Sequence, residues 1–254
     1  MEIFLQPDTW VAFLTLTFLE IVLGIDNIIF ISIATNKLPQ HQQKKAQQIG
    51  LMLAMVMRIL LLIGVTWLIA MNQSFLTIDL SWIHAEITGQ SVIMYLGGLF
   101  LLYKSTKEIR HKVEGEVDEN GTKTIVAKSL STVIVQIVLI DLVFSFDSVL
   151  TAVGMTHGIN GALTIMIAAV IISIIIMILF ANPVSKFVNT HPTIQMLALA
   201  FLILIGFMLI TEGAHLSNTV ILGKEVGAIP KGYLYFAIAF SLGVEALNMK
   251  IRKR

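Results

Sequence analysis

Glu20 and Asp26 stand six residues apart in FLEIVLGIDNIIF, residues 18–30, and Asn27 follows directly. LIDLVFSFDSVLT, residues 139–151, repeats that interval with Asp141 and Asp147, followed again by a small polar residue, Ser148. Carboxylate, amide and hydroxyl oxygens are hard donors suited to Mg2+, Ca2+ and Mn2+, whereas zinc and copper sites lean on histidine and cysteine. The chain has no cysteine, and His41, His84, His111, His157, His191 and His215 all fall in loops or at the ends of apolar segments. The chemistry on offer is binding of a hard divalent cation, with Mn2+ the first expectation and Ca2+ or Mg2+ the alternatives. No nucleophile–histidine–acid arrangement or phosphate-cradling loop occurs, so neither an enzyme nor a prosthetic group is expected.

The residues around these acids are large and apolar. A charge at the centre of a bilayer costs roughly 2.5–3.5 kcal/mol on insertion scales, and a short Asp side chain cannot reach the surface. The four acids must therefore face one another, a cation, a proton or a watery cavity. Arg58, in the middle of another apolar segment, is expected to pair with one of them, as a fixed counter-ion, a gate, or a competitor that the cation displaces. Residues six apart on a helix point about 120° apart. Glu20 and Asp26 then divide the work, or the helix unwinds between them at Gly24. The plainer alternative is that the acids only join helices through hydrogen bonds. Glu245 and Asn248, in GVEALNMK, either line an inner vestibule or cap a helix end. Gly97 and Gly98 suit close helix packing, and Gln136 a hydrogen bond across helices.

The elements that carry these residues follow from composition. Of 254 residues, 56% are apolar and 13% charged, about half the charge of an ordinary soluble domain, and the mean hydropathy is +0.87. This is an all-α integral membrane protein whose first partner is the lipid bilayer. A formal charge of +1 and no basic patch interleaved with aromatics give no sign of a nucleic-acid partner. Oligomers or other membrane partners are left open. The N-terminal MEIFLQPDTW lacks the positive region of a signal peptide, so the first apolar segment is expected to remain. A bilayer core needs roughly 20 apolar helical residues, which predicts seven spans near 10–34, 49–71, 92–106, 131–154, 161–182, 193–212 and 232–249.

Lysine and arginine bias orients them. Lys37, Lys44 and Lys45, then Lys104 to Lys128, then Lys186, and finally KIRKR fall on alternate connections, which places the N-terminus outside and the C-terminus inside. Trp10, Trp67, Tyr95, Tyr233 and Tyr235 fall near the outer span ends. The segments 72–91 and 213–231 read as extended polar outer loops, 157 as a tight turn, and Asn120-Gly121 as a turn between polar strands.

A shift of 121 residues lays Glu20 on Asp141, Asp26 on Asp147, Asn27 on Ser148 and Gly24 on Ser145. Each acidic span is followed by two more. The reading is one transmembrane domain, 1–254, of two three-span repeats, about 10–110 and 131–215, with a seventh helix about 232–249 outside them. Three spans are an odd number, so the second repeat must be inverted, the architecture of many secondary transporters.

EIVLGIDN and DLVFSFDS resemble the paired signatures of the TerC family of bacterial integral membrane proteins. The resemblance extends through HPTIQMLALAFLILIGFMLITEG and PKGYLYFAIAFSLGVEALN. It is closest to a subgroup whose larger members append cytoplasmic CBS-type domains, which are not expected here, since the chain ends at KIRKR. The resemblance implies a seven-span fold related to LysE-like transporters in the bacterial inner membrane. It also implies metal-ion efflux, manganese foremost, and an association with tellurite resistance and metal stress. The residues it singles out are Glu20, Asp26, Asn27, Asp141, Asp147 and Ser148. An acidic cluster would repel a tellurite oxyanion, so the implied substrate is a cation, exchanged for protons or driven by the membrane potential. The rival is a membrane scaffold that binds metal without moving it.

Overall fold

The computed structural model describes residues 7–114, 129–156, 159 and 161–252, apart from the side chains of residues 7, 8, 23, 25, 26 and 252. The turns expected at 120–121 and 157 lie outside the described residues. Among the described residues, eight helices and four short strands run in the order α1 Pro7–Thr35, α2 Gln40–Ile63, α3 Val65–Ala70, β1 Ser74–Leu80, β2 Ile83–Thr88, α4 Gly89–Glu114, α5 Leu130–Met155, α6 Ala162–Thr190, α7 Pro192–Leu216, β3 Val220–Ile221, β4 Lys224–Glu225 and α8 Lys231–Arg252.

Helix ends follow local chemistry. Ser129 caps α5, its Oγ accepting the Thr132 N–H at 3.3 Å. Pro192 opens α7, where its missing N–H is no loss. Gly64 ends α2, so the span expected at 49–71 is two pieces: α2, which begins earlier at Gln40, and the short α3.

Among the described residues, six helices are long and apolar enough to cross a membrane: Thr9–Thr35, Gln40–Ile63, Leu130–Met155, Ala162–Thr190, Pro192–Leu216 and Lys231–Ile251. The segment expected at 92–106 is the apolar half of α4. The other half carries Lys104, Lys107, Glu108, Arg110, Lys112 and Glu114, and α4 as a whole is not among the six. Large apolar side chains face outward along these helices, among them Leu14 and Phe18, Val56 and Leu60, Leu179 and Phe180, and Phe236 and Phe240. Such surfaces suit lipid and would be a liability in water.

The chain forms two compact units, Met1–Ala70 with Ala127–Thr190 and Met71–Val126 with His191–Arg254. In the first, α1 packs on α6 and α2 on α5, with lesser contacts of α2 with α6 and α1 with α5. Glycines set the closest approaches. A Cβ on Gly24 would collide with Met177 Sδ of α6, and one on Gly50 would lie 2.9 Å from Ile137 of α5.

In the second unit α4 packs on α7, and α8 lies along α7. A Cβ on Gly98 would lie 2.6 Å from the Gly206 carbonyl oxygen, and one on Gly213 would lie 3.1 Å from that of Ser91. This is the small-residue packing by which membrane helices approach closely. Glu108 of α4 is buried and pairs with Lys104 at 3.2 Å. The segments read as polar outer loops instead form an antiparallel sheet in the order β1-β2-β3-β4. Leu222 and Gly223 join β3 to β4 with φ of 50° and 77°, the positive values a two-residue hairpin turn favours.

Candidate metal centre

α1 and α5 are continuous helices, so the charged residues stand on regular turns and Gly24 serves close packing rather than unwinding. Residues seven apart return to within about 20° of one face, whereas residues six apart do not. Glu20 and Asn27 thus share a face of α1, while Asp141, Ser145 and Ser148, at i, i+4 and i+7, share one of α5. All five are buried, as is Arg58 of α2, at 2% exposure.

These side chains converge around Asp141. Its Oδ1 accepts from Asn27 Nδ2 at 2.9 Å and from Arg58 Nη2 at 2.7 Å. Its Oδ2 accepts from Arg58 Nε at 3.1 Å and from Ser145 Oγ at 3.0 Å. The remaining arm of the guanidinium, Nη1, donates to Glu20 Oε2. One buried arginine therefore bridges carboxylates from two helices, gripping Asp141 through the two-pronged fork that arginine alone offers. Two formal negative charges face one positive charge, in an interior where Coulomb interactions are several-fold stronger than in water.

Of the six residues singled out as ligands, Glu20, Asn27 and Asp141 come together, with Arg58 as the partner expected from its depth. Ser148 shares the Asp141 face but donates to the Ser145 carbonyl at 3.3 Å. Asp147 is half-buried, and its six-residue offset turns it about 120° from Asp141. Asp26 lies within α1, with its side chain outside the described residues. Among the described residues, no three His, Asp or Glu side chains converge as a ready metal site. The oxygens of Glu20, Asp141 and Asn27 are nonetheless the hard donors that Mn2+, Ca2+ or Mg2+ takes.

Glu245 and Asn248 belong to the second unit. Glu245 accepts from Thr193 Oγ1 at 2.5 Å and from Asn248 Nδ2 at 3.5 Å. It lines a cavity of about 450 Å3 with Thr193, Met196, Leu197, Phe240 and Val244. Gln136 is buried, but its Nε2 finds no acceptor among the described residues, contrary to the expected cross-helix bond.

Two features went unread in the sequence. Ser145, which in the sequence is only a small residue matching Gly24 in the repeat, donates to Asp141 Oδ2. A neutral layer also joins the C-terminal ends of α1 and α6 to the start of α2. Gln47 Nε2 donates to Ser185 Oγ at 2.8 Å and to Thr35 Oγ1 at 3.1 Å, and Ser185 Oγ donates to Ser32 Oγ at 2.8 Å. Ser32 Oγ also donates to Asn189 Oδ1 at 3.0 Å. The signal was the same as for the acids: polar side chains at helical spacing in otherwise apolar segments.

A model of the integral membrane protein TerC family matches residues 5–254. UPF0053 inner membrane protein YgdQ of Escherichia coli (strain K12) is 46% identical over 249 residues, which cover 98% of this chain and 96% of YgdQ. A UPF0053 protein of Haemophilus influenzae is 42% identical over 249 residues, with 98% and 96% covered. UPF0053 inner membrane protein YoaE of Escherichia coli (strain K12) is 41% identical over 253 residues, all of this chain but 45% of YoaE. No solved structure matches.

Proposed function

We propose, from the premise that this chain belongs to the TerC family of integral membrane proteins, that it exports a divalent metal cation, Mn2+ foremost. It is a multi-pass protein of the inner membrane, the location that YgdQ and YoaE carry in their names. The observation that carries the reading is the pair of buried carboxylates, Glu20 on α1 and Asp141 on α5, facing each other across one arginine inside apolar helices. Insertion of such groups is costly, and hydrogen-bonding glue does not call for a net charge. A cation that visits the site does.

The route proposed is alternating access with ligands from both repeats, in a seven-span protein with the N-terminus outside and the C-terminus inside. Two observations support the repeat. The 121-residue shift carries Glu20 onto Asp141. The same exchange also carries the α1–α6 pairing onto α5–α2 and leaves α4–α7 paired with itself, in keeping with the packing within each unit. Exchange for protons or the membrane potential would drive the cycle. The activity is transport, with no enzymatic step and no prosthetic group.

A second reading, a scaffold that binds metal without moving it, is favoured by the sheet, which exposes Phe75, Leu76, Leu80, Trp82 and Leu222 as if to a partner. Uptake of radiolabelled Mn2+ by inside-out membrane vesicles separates the two. Export predicts uptake by the wild type that Asp141→Asn and Asp26→Asn abolish. Mn2+ binding without uptake, lost in the same variants, would replace the exporter with the scaffold.

A further inference from the structure

We propose that Arg58 is a tethered competitor of the transported cation. Its guanidinium holds Glu20 and Asp141 when the cation is away, and the cation displaces it on binding. The proposal rests on the export reading and deepens it.

Three observations lead to it. The first is saturation. A carboxylate has about four lone-pair sites, and Asp141 receives four donors, from Asn27, Ser145 and twice from Arg58. A cation cannot take an oxygen whose lone pairs point at N–H and O–H hydrogens. Two of the four donors belong to one flexible side chain, so movement of Arg58 alone opens both oxygens of Asp141 and releases Glu20 as well.

The second observation is Asn27. It is 3% exposed, and its Oδ1 finds no hydrogen-bond donor among the described residues. Turning the amide over is no remedy, because that would set Oδ1 against the Asp141 carboxylate that Nδ2 now serves. Leaving a buried acceptor unmade costs about 1–3 kcal/mol. The guanidinium spends three of its five N–H donors on carboxylates, and neither of the other two reaches Asn27 Oδ1. An amide oxygen is a hard ligand that a divalent cation would use. The arginine-held state is therefore good but incomplete, as a state that must yield to another should be.

The third is charge. Glu20 and Asp141 carry two formal negative charges, which a divalent cation cancels in full and Arg58 by half. In a poorly screened interior that difference favours the cation and works against the cost of stripping its water. A dry carboxylate pair with no rival would hold a divalent cation too tightly for turnover. A tethered rival acts at high effective concentration, weakening net affinity and assisting release to the same degree. A permanent counter-ion would behave differently: Arg58 would stay on the carboxylates with the cation bound, so guanidinium and cation would share the site instead of excluding each other.

The test is equilibrium Mn2+ binding to the purified full-length protein in detergent, read from the free Mn2+ electron paramagnetic resonance signal. Arg58→Ala should bind Mn2+ about tenfold or more tightly than wild type, a factor worth about 1.4 kcal/mol. Guanidinium should then compete with Mn2+ in the variant, raising its apparent Kd in proportion to guanidinium with no plateau, and leave wild type unmoved. Equal or weaker binding by a folded Arg58→Ala overturns the proposal, and a guanidinium effect that levels off with Mn2+ still bound overturns it too and makes Arg58 a fixed counter-ion. Should Arg58→Ala fail to fold even with Mn2+ present, Arg58→Lys takes its place, since it keeps the charge but not the fork. Severalfold tighter binding by Arg58→Lys supports the competitor, and unchanged or weaker binding overturns it. Absence of Mn2+ binding in wild type and variants alike would instead defeat the export reading itself.

Discussion

In the unit of α1, α2, α5 and α6 the buried faces meet through Glu20, Asn27, Arg58, Asp141 and Ser145, whereas the α4–α7 face of the other unit closes over Gly98, Gly206 and Gly213. In lipid, apolar side chains gain nothing from leaving the tails for one another, so helices associate through close packing or polar contacts. The α4–α7 pair takes the first course, and the ion pair of its buried Glu108 with Lys104 lies within one helix. Close packing of backbone on backbone admits one arrangement. The four-helix unit takes the second course, and hydrogen bonds to a carboxylate can be handed from an arginine to a cation. The difference separates a surface closed by backbone packing from one joined by charges and hydrogen bonds.

The largest effect in the charged unit is expected from Asp141→Leu. The substitution strips the acceptor from Asn27, Ser145 and two nitrogens of Arg58 together. Removing one partner of a buried ion pair costs about 3–5 kcal/mol. Unfolding in mixed micelles should show a loss of that order, and Asp141→Asn, which keeps an acceptor, should lose less. A leucine variant as stable as wild type would mean that the charged centre does not hold the helices together.

Next in size is Gly206→Val, aimed at the closed half. A Cβ at that position would stand 3.0 Å from the Gly98 carbonyl oxygen and from the Leu102 side chain, and the Gly98 backbone cannot move aside cheaply. Overpacking of this kind costs about 1–3 kcal/mol. Amide hydrogen exchange should rise in α4 and α7 and stay unchanged in α1, α2 and α5. Faster exchange in α1 or α5 would show that the two interiors do not behave independently.

The two halves also differ in how far they could be read beforehand. The acids and Arg58 were conspicuous because each charge violated an apolar setting. What remained hidden was which of them would meet: the six-residue interval drew attention to Glu20 with Asp26, while helix geometry brings Glu20 together with Asn27, seven residues on. Ser145 escaped because a serine costs little in a membrane helix and so carries little signal. The Gly97-Gly98 pair was read as packing, and Gly98 does meet Gly206 closely. The sheet was missed although SFLTIDL and IHAEIT alternate with period two. Its polar content and its place between spans suggested loops, and the pairing of β2 with β3 is a long-range contact that no local pattern announces.

The smallest predicted effect tests whether the neutral layer follows the plan of the charged centre or only resembles it. Gln47 donates to Thr35 Oγ1 and Ser185 Oγ, but neither hydroxyl depends on it. Thr35 donates to the Ile31 carbonyl at 2.8 Å, and Ser185 to Ser32 Oγ at 2.8 Å. Gln47→Leu therefore removes two bonds and leaves only spare lone pairs behind. Interhelical hydrogen bonds in membrane bundles average about 0.6 kcal/mol each, so the loss of stability should be about 1 kcal/mol. A double-mutant cycle with Ser185→Ala should return a coupling of about half that. Mn2+ binding should be untouched, because no member of this layer donates to Glu20 or Asp141 among the described residues. A fall in Mn2+ affinity or uptake without a matching loss of stability would instead place Gln47, Ser32 and Ser185 on the path of the ion, where a layer of neutral oxygens would pass a cation between the charged centre and the end of the membrane that carries Lys37, Lys44 and Lys186.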